Sequence, residues 1–285
     1  MRSFKVHCQS SAGGHDMHVT EWGAADNPRV LICVHGLTRC GRDFDVLAAA
    51  LSADYRVLCP DVSGRGESDW LADKADYVIP QYVSDMVRLI AKSGAKKVHW
   101  VGTSMGGIIG MVLAAQPHSP ITRMVVNDIG SFIPRASLMR IAQYMDEKSS
   151  PQFASVDAAV AAVRAVSPFG PLTDAKWRQL TVPLLQPTAD GKWQFRFDPA
   201  IALPLKAGVI EDIDLSGFWN EIHCPVLLTR GAESDLLTRP TFESMCARPN
   251  VRGLEYPATG HAPMFQDARS IADVKSFLLE TGATH

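Results

Sequence analysis

"VHWVGTSMGGIIGMVLAAQ", residues 98–116, decides the fold. It opens as a short β-branched and aromatic run, "VHWV", and continues as an apolar segment of helical length, "GGIIGMVLAAQ". Between them Gly102, Gly106 and Gly107 bracket a single serine, Ser104. When a strand turns abruptly into a helix, the corner residue takes a strained backbone. Glycines two positions either side then relieve the crowding that other residues would cause. The corner side chain stands above the sheet edge, and the next residue, Met105, starts the helix with an N–H that no intrahelical carbonyl can take. A serine in that place is a candidate nucleophile.

Working outward, the same alternation recurs. "VLICV" (30–34), "YRVLC" (55–59), "RMVVN" (123–127), "PVLLT" (225–229) and "VRGLEY" (251–256) read as strands. Most are nearly all apolar, as strands covered on both faces are. "FKVHC" (4–8) and "MHVTEW" (17–22) alternate and read as an outer hairpin. "FDVLAAALSA" (44–53), "PQYVSDMVRLIAKSG" (80–94), "TFESMCA" (241–247) and "SIADVKSFLLE" (270–280) read as helices between the strands, with Pro80 suited to a first turn and Gly94 to a stop. The spacing predicts an α/β fold with a doubly wound, mostly parallel sheet.

The rhythm breaks after "NDIG" (127–130). "LMRIAQYMDEK", "VDAAVAAVRAV" and "DAKWRQLTV" read as helices among scattered prolines, and "CPVLLTRG" then resumes the sheet pattern. The expectation is a helical cap inserted over 131–217 into a core made of 1–130 and 218–285.

A serine hydroxyl needs a base, and the base an orienting acid. Of the nine histidines, His261 in "ATGHAPMFQD" follows the last strand and lies at the sheet edge expected for Ser104. For the acid, Asp235 in "RGAESDLL" leads; Asp128 in "VVNDIG" is a rival that also follows a strand, and Glu233 is a third choice. Donors for a developing oxyanion are expected from the backbone N–H groups of Met105 and of Leu37 in "VHGLT", with His35 given a structural role in its own loop. Arg39 and Arg42, just beyond, are candidates to pair with an anionic group on a substrate or with Asp43 and Asp45. Arg39 is the preferred pocket residue, with Tyr144 and Phe169 of the insertion beside it.

"VHGLT", "PDVSGRGESDW", "GTSMGG", "SD" and "GHAP" fall in an order that resembles the α/β-hydrolase superfamily, in its cap-bearing branch of bacterial serine esterases. That resemblance covers about 1–130 and 218–285. It implies a Ser104–Asp235–His261 triad in the family's chain order, no metal and no organic cofactor, and a small or medium carboxylic ester as substrate. Carbon–carbon hydrolysis of a ring-cleavage diketone, lactonase, thioesterase or acyltransferase activity, and a non-catalytic ligand receptor are the alternatives. "SGRGESDW" (63–70) reads as a structural turn. Serine at the elbow, where some relatives carry aspartate, argues against dehalogenase and epoxide chemistry.

Charge and composition limit the rest. With 28 basic and 30 acidic residues the formal net charge is −2, which lacks the basic surplus of a nucleic-acid binder. No apolar run is long enough to span a bilayer. The six cysteines are scattered without a C-x-x-C pair, and the N-terminal stretch lacks an export-type apolar segment. These features predict a cytoplasmic protein.

Overall fold

The computed structural model describes residues 1–147, 151–206 and 210–280. Eight strands form one sheet: β1 (Arg2–Ser10), β2 (Gly13–Trp22), β3 (Val30–Val34), β4 (Arg56–Pro60), β5 (Val98–Thr103), β6 (Ile121–Asn127), β7 (Val226–Gly231) and β8 (Val251–Tyr256). Their spatial order is β1-β2-β4-β3-β5-β6-β7-β8. The first two strands are an antiparallel hairpin, and β2 meets β4 antiparallel. Every later pairing is parallel. This is the mostly parallel sheet that the sequence predicts, with the alternating "FKVHC" and "MHVTEW" runs at its edge.

The period of two decides what covers each face. Leu31, Cys33, Val57, Val101, Val125 and Leu227 point to one side, where they pack with α1 (Asp45–Leu51) and with Val274, Phe277 and Leu278 of the C-terminal helix Ala268–Leu279. Their neighbours Ile32, Val34, Leu58, Trp100, Met124, Val126 and Leu228 point to the other, against α2 (Ile79–Ser93) and α3 (Met105–Ala114). The helix α2 begins with proline in its first turn and stops at Gly94, which is left-handed at φ 75°. No described helix is long and apolar enough to cross a membrane.

The segment between β6 and β7 carries three longer helices, α4 (Arg135–Glu147), α5 (Val156–Val166) and α6 (Asp174–Thr181). The end of the "LMRIAQYMDEK" reading, Lys148, lies outside the described residues. The segment also holds short antiparallel strands that its proline-rich sequence did not suggest. Phe132–Ile133 pairs with Ile213–Asp214, and Trp193–Phe195 lies between Gln152–Phe153 and Leu185–Pro187.

The turn after β5 shows why glycine is required there. A Cβ on Gly102 would lie 2.2 Å from the carbonyl oxygen of Gly106, and one on Gly106 would lie 2.0 Å from that of Val34. The crowding is backbone against backbone, strand against helix, rather than against the serine side chain itself. No rotamer change can relieve it. Gly106→Ala is therefore expected to destabilise the protein by about 3 kcal/mol or more, a fall in Tm on the order of 10 °C for a chain of this size. Gly217→Ala, where an added Cβ meets nothing within 4 Å, should leave Tm nearly unchanged. Thermal unfolding of the two variants side by side checks this.

Candidate active site

Parallel strands deliver their C-terminal ends to one edge of the sheet, where loops from different strands converge. Here β3 leads into His35-Gly36-Leu37, β5 into Ser104, β6 into Asp128, and β8 into the loop holding His261. Ser104 has φ 54° and ψ −117°. Its backbone is pinned by a 2.9 Å hydrogen bond from its N–H to the carbonyl of Asn127 on the neighbouring strand.

His261 Nε2 lies 3.0 Å from Ser104 Oγ, and His261 Nδ1 lies 2.8 Å from Asp128 Oδ2. The carboxylate can only accept, so Nδ1 carries the proton and Nε2 turns its lone pair to the serine. The structure thus brings Ser104 and His261 together, and the carboxylate it places against His261 is that of Asp128, not that of Asp235. Asp128 is fully buried. Its backbone N–H donates to Thr229 O at 2.8 Å, and its Oδ1 accepts from Gly231 N–H at 2.9 Å, so β7 fixes both ends of it. Asp235 sits elsewhere: its carboxylate makes a two-point ion pair with Arg140, at 2.6 and 2.8 Å. Its own carbonyl accepts from Ser137 Oγ at 2.8 Å, which holds the loop onto α4. Glu233 is likewise not the partner of His261; its N–H donates to Thr259 O at 2.8 Å.

The Leu37 loop comes close to the serine. A Cβ on Gly36 would be 3.5 Å from Ser104 Cβ. Among the described residues nothing accepts the Leu37 N–H outside the site, and Met105, as the first residue of α3, has no intrahelical acceptor for its own. His35 holds this loop in place. Its Nε2 accepts from Val62 N–H at 2.9 Å and its Nδ1–H donates to Gly36 O at 2.7 Å. This is the structural role expected for it.

Two residues escaped the reading of the sequence. Asn127, fully buried, donates from Nδ2 to Thr103 Oγ1 at 3.0 Å and to Pro263 O at 2.7 Å, and its Oδ1 accepts from Thr229 Oγ1 at 2.8 Å. It joins the serine strand, β7 and the histidine loop. Arg65, also fully buried, donates from Nε to Leu37 O at 2.9 Å and from Nη1 to Ser63 O and Tyr82 OH, both at 2.8 Å. The "SGRGESDW" turn is structural, as expected, and its arginine braces the Leu37 loop. A charged residue between two glycines was the available signal.

Ser104 and His261 open into a cavity of about 150 Å³. Its walls are mostly apolar, with Ile141, Tyr144, Met145, Val163, Phe195 and Phe197 from the inserted segment. Arg39, Tyr144 and Phe169 all line it. Arg39, however, is committed. It donates to Asp43 at 2.9 and 2.6 Å and to Leu180 O at 2.8 Å, and its guanidinium lies 5.3 Å from the Phe169 ring centre. Burial works against its charge, but Asp43 outweighs burial and holds Arg39 above its ordinary value. Arg42 pairs with Asp45 and does not line this cavity. Both arginines therefore take the acidic-neighbour reading.

His35 provides a pH test of this framework. Burial pushes its imidazole down to about 4, because protonating Nε2 would both charge a dry site and break the Val62 bond. In the unfolded chain it titrates near 6.5. Between those values the unfolded state takes a proton that the folded state refuses, so stability falls as pH drops from about 6.5 toward 4. His35→Asn should be less stable than wild type at pH 7.5, and the gap should narrow by about 2 kcal/mol at pH 5. Urea denaturation at the two pH values measures it.

A family model described as the α/β hydrolase fold matches residues 29–268. A 3-hydroxybutyrate-oligomer hydrolase of Cupriavidus necator is 46% identical over 98% of this chain and 97% of its own length. Among solved structures, a hydrolase from Rickettsia typhi superposes with a TM-score of 0.93 at 29% identity, covering 99% of this chain and 100% of that one. An α/β hydrolase from Novosphingobium aromaticivorans does so with a TM-score of 0.86 at 32% identity, covering 97% and 98%. With its parallel sheet, its serine elbow and these likenesses, the chain belongs to the α/β-hydrolase family.

Proposed function

We propose that this protein is a serine ester hydrolase that cleaves short oligoesters of a hydroxy acid, of the 3-hydroxybutyrate type. The observation that carries the reaction is the unbroken hydrogen-bonded line from Ser104 Oγ through His261 to Asp128, at 3.0 and 2.8 Å, facing a mostly apolar cavity. The substrate class is supported by the 46% identity to the 3-hydroxybutyrate-oligomer hydrolase over nearly the whole chain. The cavity suits it, since its wall of Ile141, Tyr144, Met145 and Val163 is apolar beside Ser104.

Ser104 Oγ attacks the ester carbonyl while His261 Nε2 takes its proton. Asp128 keeps Nδ1–H in place and stabilises the imidazolium that forms. The carbonyl oxygen, now negative, lies between the N–H groups of Leu37 and Met105, which need no reorganisation to meet it. His261 returns the proton to the leaving alcohol. Water, deprotonated by the same histidine, then releases the acid from Ser104. The segment 131–217 acts as the cap that shapes the acyl site, over a core of 1–130 and 218–285.

Ser104→Ala should cut turnover of p-nitrophenyl butyrate by roughly 10⁴-fold or more, with Tm retained and labelling by a fluorophosphonate lost. Asp128→Asn should cost on the order of 10³-fold, and Asp235→Asn far less. The reverse ranking would move the acid back to the loop after β7. For the substrate, the wild-type protein is incubated with the linear trimer of 3-hydroxybutyrate and monomer release is followed by chromatography. Turnover of p-nitrophenyl butyrate with no cleavage of the trimer would remove the oligoester from this reading.

A further inference from the structure

Two guanidinium groups line the cavity, and they differ in what they could give up. Arg39 is mostly buried, bidentate on a buried Asp43 and bonded to Leu180 O. Withdrawing it would strand a carboxylate in a dry site, which costs several times what an exposed pair is worth. Arg140, on α4, is different. Its side chain and that of its partner Asp235 are each 50% exposed. An ion pair so placed contributes little, because water solvates either member when they part. Among the described residues, only Nε and Nη2 of Arg140 are engaged, both by Asp235. The guanidinium fork is thus held in a carboxylate-binding geometry by a carboxylate that can leave at small cost.

We infer that Arg140 binds the free carboxylate end of the substrate, and that Asp235 is the counter-ion it exchanges; this rests on the oligoester reading above. A linear oligoester of a hydroxy acid has one carboxylate at one end and a hydroxyl at the other, whatever its length. Its repeating part is small and branched, matched by the apolar wall of Ile141, Tyr144 and Met145 on the same helix as Arg140. A planar fork at the cavity wall discriminates a free acid from a capped one, since only the acid accepts two parallel charge-assisted hydrogen bonds. Asp235, in the loop after β7, holds the arginine in place between substrates, with its backbone tied to Ser137. No bond is made or broken at Arg140; its part is specificity.

The experiment uses the full chain with the 3-hydroxybutyrate trimer and with the methyl ester of that trimer, measuring kcat and KM for each. In the wild type the free acid should have the lower KM, and raising ionic strength should erode that preference. Arg140→Met should lower the ratio of kcat/KM for the acid to that for the methyl ester by about tenfold, chiefly through KM. Arg140→Lys should restore part of the ratio, and Asp235→Asn should raise it by removing the competing carboxylate. If both trimers are cleaved and Arg140→Met leaves the ratio unchanged or depresses both substrates equally, the assignment is overturned while the oligoester reading stands. If neither trimer is cleaved and p-nitrophenyl butyrate is, the oligoester reading fails and this assignment falls with it.

Discussion

The site depends on how the chain is held at Ser104. A non-glycine residue at φ 54° costs roughly 1–3 kcal/mol relative to ordinary backbone, and it persists only where its surroundings leave no alternative. The surroundings here are backbone. The helix start touches the end of β3 so closely that Gly106 has no room for a Cβ beside Val34 O. The serine N–H is taken by Asn127 O. Asn127 then reaches with its side chain to Thr103, Thr229 and Pro263. Asp128, next in the chain and itself at φ 57°, is gripped by Thr229 and Gly231 of β7. Two adjacent residues at the end of β6 thereby fix the strand that ends at Ser104, the carboxylate beside His261 and the loop that presents His261. Loosening this dipeptide would disturb all three together.

The strands and helices of the core were legible because their signal is local. "VLICV" and "VRGLEY" coincide with β3 and β8 to the residue, and the serine elbow was marked by glycines whose spacing has one steric cause. His261 was legible because a loop after the last strand has only one edge of the sheet to face. The acid was not. Chain order favours an aspartate after β7, and Asp235 stands there, but order along a chain does not say which carboxylate turns inward. Asp128 and Asp235 follow adjacent strands, so both lie within reach of the same edge. What separates them is pairing. Arg140, nearly a hundred positions away in the chain, draws Asp235 outward, while Gly231 N–H and burial keep Asp128 in. Neither the arginine on an inserted helix nor the hydrogen bond across two strands leaves a mark in the local sequence. The short antiparallel strands of 131–217 were missed for a related reason: two- or three-residue strands have no period to read.

The pocket's electrostatics follow from the same division between dry and wet. Arg39 and Asp43 are both withdrawn from water, and the pair is stable because neither can leave. Such a pair sets shape, holding the start of α1's approach against Leu180 of the inserted segment and stacking on Phe169. It adds no net charge for a substrate to feel. Arg140 and Asp235 have the same chemistry and the same bidentate geometry, yet their exposure makes the partnership exchangeable. Sequence alone offered only Arg39 and Arg42 as anion binders, because they follow the Leu37 loop closely, and preferred Arg39. Burial favours Arg140 instead. A guanidinium discriminates among anions only if its resting partner can be displaced for less than the incoming ligand gains, and that condition is met by the half-exposed pair and failed by the buried one. The acid position that the family's chain order assigns to Asp235 is therefore free for a different use: with Asp128 orienting His261, the carboxylate after β7 can serve the substrate side of the cavity.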